Sequence, residues 1–230
     1  VRKFDSEEYG TVRRGSYKLS ENATRLYEEA RQKVADFFGT PDRKEIVFTS
    51  GTTQAINLVA YSFGRKFVQA GDEIIISNIE HHANIVPWQV LCEEKGATLR
   101  VIPVSDNGEL VMSEYEKLLN KKTRLVAVNH VSNALGTINP VKEIIEKAHA
   151  VGAKVLIDGA QSSPHMTIDV KDLDCDFYTF SGHKMYAPSG VGGLYGKMEL
   201  WESMGPYVTG GDMILQVTLE KTTYARPPAR

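Results

Sequence analysis

The chain has 230 residues, 42% hydrophobic and 24% charged, and its 27 Lys and Arg against 29 Asp and Glu leave a net charge of −2. That balance fits a globular protein with one large core. It offers no basic stripe for nucleic acid, no basic amphipathic helix for a membrane surface, and no apolar run near the ~20 residues of a bilayer span.

The start, VRKFDSEEYG, has no signal-peptide pattern. Cys92 and Cys175 lie far apart in no ligand spacing, so no metal site and a reducing cytoplasm are expected. The chain lacks an initial Met and ends on YARPPAR, a proline-rich run that reads as the start of a linker. A piece of a longer enzyme is the expectation.

Ala23, Leu26, Tyr27, Ala30, Val34, Phe37 and Phe38 share one 3.6-period face, which predicts a helix stopped by Gly39. A strand follows at Ile46–Thr49 and a helix over 53–63. Next come a strand at Glu73–Ser77 and a helix through Trp88 and Glu94. A strand over 99–103 precedes a helix near 113–119, and a strand over 124–129 follows. Val141, Ile144, Ile145 and Ala148 then mark a helix at i, i+3, i+4, i+7. Lys154–Asp158, Phe177–Ser181 and 191–195 complete the strands. The alternation predicts an α/β fold: three layers, α/β/α, around a mainly parallel seven-stranded sheet. The last strands are too close together for long helical crossovers, which makes 191–195 the candidate for an antiparallel strand.

Ligands of such sheets sit at the carboxyl ends of the strands. Reactive groups follow five of them: Ser50, Gly51, Thr52 and Thr53; Glu80, His81 and His82; His130 and Asn133; Asp158 and Gln161; Ser181, Gly182, His183 and Lys184. Small residues and hydroxyls at 50–53 suit a phosphate at a helix N-terminus, although the same turn would serve as a plain N-cap. The Lys184 amine could form an imine with a carbonyl, with Ser181 and His183 as phosphate donors. Asp158 could face a pyridine nitrogen, or simply cap the next turn. Gln161 and Asn133 could donate to a phenolic oxygen. His81 could stack on a ring and shuttle protons. His130, His149 and His165 read as structural or solvated. No HExxH, P-loop or GxSxG pattern occurs.

Read together, these segments resemble the class V aminotransferase family, and within it the cysteine desulfurase / selenocysteine lyase group. The resemblance is carried by TSGTTQAINLVA (49–60), EHHANIVPWQ (80–89), HVSNALGTINP (130–140), DGAQ (158–161), DCDFYTFSGHKMYAPSGVGGLYG (174–196) and GGDMI (210–214). It implies that residues 1–230 are most of the large domain of a fold-type I enzyme dependent on pyridoxal 5′-phosphate (PLP), without its N-terminal segment and C-terminal small domain. Lys184 would carry the cofactor, His81 stack on its ring and Asp158 pair with its nitrogen. Gln161 and Asn133 would serve the phenolic oxygen, and Thr52, Thr53, Ser181 and His183 the phosphate. The implied reaction takes sulfur from L-cysteine, leaving alanine and an enzyme persulfide for iron–sulfur cluster assembly. A homodimer and a sulfur-acceptor protein are implied as partners.

The family's persulfide cysteine lies beyond this chain, and Cys92 and Cys175 match no catalytic position of the family. Ser50 stands where part of the group has an arginine, and Arg13 and Tyr17 where some relatives have histidines. An aminotransferase, an epimerase, a kynureninase-like hydrolase and a non-catalytic PLP domain remain alternatives.

Overall fold

The computed structural model describes residues 2–13, 15–211 and 213–228. Helix α1 (Lys18–Phe37) leads into strand β1 (Ile46–Thr49). Helix α2 (Thr52–Val59) continues through a π-helical turn (Ala60–Gly64) into the short α3 (Arg65–Phe67). Then come β2 (Glu73–Ser77), α4 (Val86–Lys95), β3 (Thr98–Ile102), α5 (Met112–Leu118), β4 (Thr123–Asn129), α6 (Val141–Ala150) and β5 (Lys154–Asp158). The chain goes on through α7 (Val170–Leu173), β6 (Phe177–Ser181), β7 (Gly192–Gly196), α8 (Met198–Ser203), β8 (Ile214–Val217) and β9 (Thr222–Tyr224).

Seven strands form one sheet in the order β1-β7-β6-β5-β4-β2-β3. Strands β2 to β6 pair parallel, and β7 runs antiparallel between β6 and β1. The expected architecture and the antiparallel strand are therefore both present. Pro103 lies just past the end of β3, because it has no N–H to give a ladder.

Side chains alternate across the sheet, so each strand feeds two cores. Val126 and Val128 join the core with Ile75, Val155, Ile157 and the inner face of α6. Leu125 and Ala127 join the opposite core with Ile74, Ile76, Leu156, Trp88 and α2. Both faces are covered, which is why these strands read as continuous apolar runs. Helix α4 starts with Pro87 in its first turn and ends at Gly96, whose φ of 68° is the left-handed conformation a glycine adopts without strain.

The hairpin of β8 and β9 was not expected from the sequence. Every residue of β8 is exposed, so no core-facing alternation marks it. The GGDMI segment enters this hairpin, but its Asp212 lies outside the described residues. Among the described residues, no helix is long and apolar enough to cross a membrane.

Candidate active site

Parallel strands deliver their carboxyl ends to one rim, and the sequence places polar residues there. Asp158 is the last residue of β5, and Ser181 the last of β6. His183 and Lys184 follow in a 3₁₀ turn (Gly182–Lys184). Thr52 and Thr53 open α2, His81 follows β2, Asn133 follows β4, and Gln161 lies in the turn after β5. All of these side chains line one cavity of about 160 Å³. A wider, open groove of about 420 Å³ adjoins it between α2 and α4 and shares Thr53 and His81.

One corner of the cavity is built by two distant segments. The Thr52 backbone N–H donates to Ser181 Oγ at 3.0 Å, and the Ser181 hydroxyl donates to Thr52 Oγ1 at 2.9 Å. Gly51 precedes the helix with φ of 152°. Across from it, a Cβ on Gly192 would sit 2.6 Å from Gly51 Cα and 2.5 Å from Phe180 O. Only glycine lets these backbones come so close. The result is a helix N-terminus ringed by hydroxyls, the chemistry of a phosphate site.

Asp158 is buried, and burial holds its carboxyl above the ordinary range; the Ala160 N–H, Lys184 and His81 pull the other way without prevailing. The Ala160 N–H reaches Oδ1 at 2.9 Å. No Lys, Arg or His lies within ion-pair distance of Asp158 among the described residues. A buried carboxylate beside a cavity, without an ion-pair partner, is complementary to a cationic N–H entering from that cavity.

His81 is exposed, and its Nδ1 accepts the Ala83 N–H at 3.1 Å. That bond assigns the neutral ring its Nε2–H tautomer. His130, read as structural or solvated, is structural: burial lowers its pKa to about 4, and Nδ1 meets the Tyr178 hydroxyl at 3.0 Å. Tyr178 also bonds Ser162 Oγ at 2.6 Å, beneath the turn that carries Gln161. Glu80 and Asn129, beside the cavity, were not singled out as site residues. They meet each other across 49 positions, although Glu80 opens the EHHANIVPWQ motif. Cys92 and Cys175 are buried and absent from the cavity lining, and burial pushes the Cys92 thiol up to about 11.

A family model described as aminotransferase class-V matches residues 1–230. The chain belongs to the class V aminotransferase family. Within this family it is 57% identical, over its whole length, to a cysteine desulfurase of Dickeya dadantii (strain 3937), of which it covers 56%. It is 53% identical over 99% of its length to a cysteine desulfurase of Synechococcus elongatus, covering 36% of that protein. Among solved structures, the apo cysteine desulfurase of Thermococcus onnurineus NA1 matches with a TM-score of 0.94 at 42% identity, over 100% of this chain and 57% of that one. The cysteine desulfurase CsdA of Escherichia coli matches with a TM-score of 0.91 at 40% identity, over 99% of this chain and 57% of that one. A C-DES mutant with glycine covalently linked to its PLP cofactor matches at 0.84 and 27% identity, over 100% and 59%. The chain spans little more than half the length of most of these relatives.

Proposed function

We propose that this chain is the cofactor-binding part of a PLP-dependent cysteine desulfurase. One observation carries the reading: a lysine amine, an uncompensated buried carboxylate and a hydroxyl-ringed helix N-terminus line one small cavity, in a chain similar to cysteine desulfurases throughout.

The donor set fits the cofactor group by group. Thr52, Thr53, Ser181, His183 and the first turn of α2 suit its phosphate. Asp158 suits its protonated ring nitrogen, the amides of Gln161 and Asn133 its phenolic oxygen, and Lys184 its aldehyde. The His81 ring suits the flat face. When bound, PLP supplies an electron sink for charge developing on the substrate's carbon skeleton.

The chain's own residues do the remaining work. Lys184 Nζ is the base that takes a proton from the substrate carbon and can return it. His81 offers its proton from Nε2, since Nδ1 is engaged with Ala83. Burial shifts Asp158 towards its protonated form, so a cation facing it from the cavity would favour the carboxylate. Neither Cys92 nor Cys175 can accept sulfur, because both thiols are buried and outside the cavity. The accepting thiol therefore belongs to another part of the whole enzyme.

The substrate on this reading is L-cysteine, and the products are L-alanine and an enzyme persulfide. The sulfur then passes to an acceptor protein for iron–sulfur cluster assembly in the cytoplasm. The relatives' names support the substrate, and the resemblance carried by EHHANIVPWQ supports the link to iron–sulfur cluster assembly. A homodimer is supported by exposed apolar residues near the site, Val86 and Val90 on α4, and by Leu215 and Val217 on β8.

Incubating the chain with PLP tests the reading. A visible absorbance band from cofactor joined to the protein is expected, moved by L-cysteine and not by amino-donor and keto-acid pairs. A colourless chain after incubation would sink the proposal. Turnover of cysteine to alanine is not expected from this chain without the thiol-bearing part.

A further inference from the structure

Glu80 precedes His81 and has no role in the reading above. It is buried, and no Lys, Arg or His lies within ion-pair distance of it among the described residues. Donors from three segments converge on it instead. The Asn129 backbone N–H reaches Oε1 at 3.0 Å, and the Asn84 side-chain amide reaches Oε2 at 2.8 Å. The Ser77 hydroxyl shares a hydrogen bond with Oε1. Asn84 is held in turn by the indole N–H of Trp88 at 2.9 Å, and Trp88 is fully buried. On the β4 side, the Asn129 amide donates to Ile79 O at 2.7 Å, and Asn139 donates to Asn129 O at 2.9 Å.

These bonds enclose His81. Glu80 lies one residue before it and Asn84 three after, so the bond between them closes the loop around it. His81 itself is exposed, so packing does not hold its ring. Among the described residues, the ring's hydrogen bond is the one from the Ala83 N–H, and that N–H belongs to the turn His82–Asn84. A functional side chain on a loop is only as well placed as the groups that pin the loop.

We propose that Glu80 is a positioning residue for His81, clamping the His81 loop between Trp88 on α4 and Asn129 on β4 so that the ring meets the cavity in one orientation and one tautomer. The proposal deepens the PLP reading and rests on it. A carboxyl is suited to the task because it accepts through both oxygens, with or without its proton. The amide of a glutamine accepts through one. Glu80→Gln therefore keeps the size and loses either the Asn84 bond or the Asn129 bond.

The test uses the 230-residue chain without cofactor, and then with PLP. Long-range ¹H–¹⁵N spectra report the His81 tautomer, and the Trp88 indole N–H reports the clamp. Wild type is expected to show the Nε2–H form. In E80Q a mixture of the two tautomers is expected, with a moved Trp88 signal and a PLP half-saturation raised about tenfold. N84A removes the same clamp from its other end and decides the matter if E80Q does not fold. Wild-type His81 signals in the folded variant would overturn the positioning role, leaving Glu80 a buried core acid. A wild-type chain that takes no PLP would instead overturn the cofactor reading, and the tautomer measurement would still stand.

Discussion

Two buried aspartates sit at opposite ends of the same sheet. Asp158 closes β5 at the cavity, and Asp176 precedes β6 at the far end. Asp176 meets His149 Nε2 at 2.7 Å, Lys154 Nζ at 3.2 Å and the Val155 N–H at 2.8 Å. Burial raises its pKa, but the His149 bond, Lys154 and Lys197 outweigh burial and hold it below the ordinary value. Asp158 has the Ala160 N–H, with Lys184, His81 and Thr179 as weaker influences and no ion pair among the described residues, and burial wins. The difference teaches how to read a buried charge. Where the chain itself supplies the counter-charges, the group is architecture. Where it leaves them out beside a cavity, the group is waiting for a ligand.

The largest effect expected at the cavity end comes from Lys184→Ala, which should abolish the visible band of PLP-incubated protein entirely. A full band in that variant would place the covalent link elsewhere. At the other end, Asp176→Asn should lower stability by about 3 kcal/mol, because Lys154 and His149 lose a buried partner; chemical denaturation measures it. PLP loading should survive in whatever fraction stays folded.

Asp158→Asn should do the reverse. In cofactor-free protein its stability should match or exceed that of wild type near neutral pH. Its affinity for PLP should fall about tenfold to a hundredfold by fluorescence titration, the range seen when a partner of a bound group is lost. Equal behaviour of the two variants in both assays would erase the contrast between the two ends.

Proton linkage acts with opposite signs at two buried acids. The lowered pKa of Asp176 adds stability that is present above its ordinary value of 3.8 and is lost as pH falls through the lowered one. Glu80 is raised from 4.5 to about 8, so the unfolded chain holds fewer protons over that window. Stability should therefore fall as pH rises from 4.5 towards 8, by up to about 1.4 kcal/mol per pH unit from this one group. Glu80→Gln should flatten that slope in melts run across the window. Least of all, removing the exposed partner in Asp172→Asn, which frees Lys142, should change stability by less than about 1 kcal/mol.

Much of this was legible beforehand. Strands buried on both faces announce themselves as apolar runs, so Glu73–Ser77, Lys154–Asp158 and Phe177–Ser181 could be bounded to the residue. The predicted cavity residues were legible because a parallel sheet sends every strand end to one rim, and each of these side chains ends or follows a strand. Glu80 was not, since its meaning lies in Asn129, a residue 49 positions away that pairs with it only in space. The β8–β9 hairpin escaped because an exposed strand carries no hydrophobic period.

By itself, the amino-acid order determined the strands and helices of the central sheet and which reactive groups stand at their ends, because burial and turn chemistry are written locally. The tertiary structure decided which of two buried aspartates is neutralised and which is left facing a cavity. That depends on the charges neighbouring strands bring within a few ångströms, and sequence distance does not measure it.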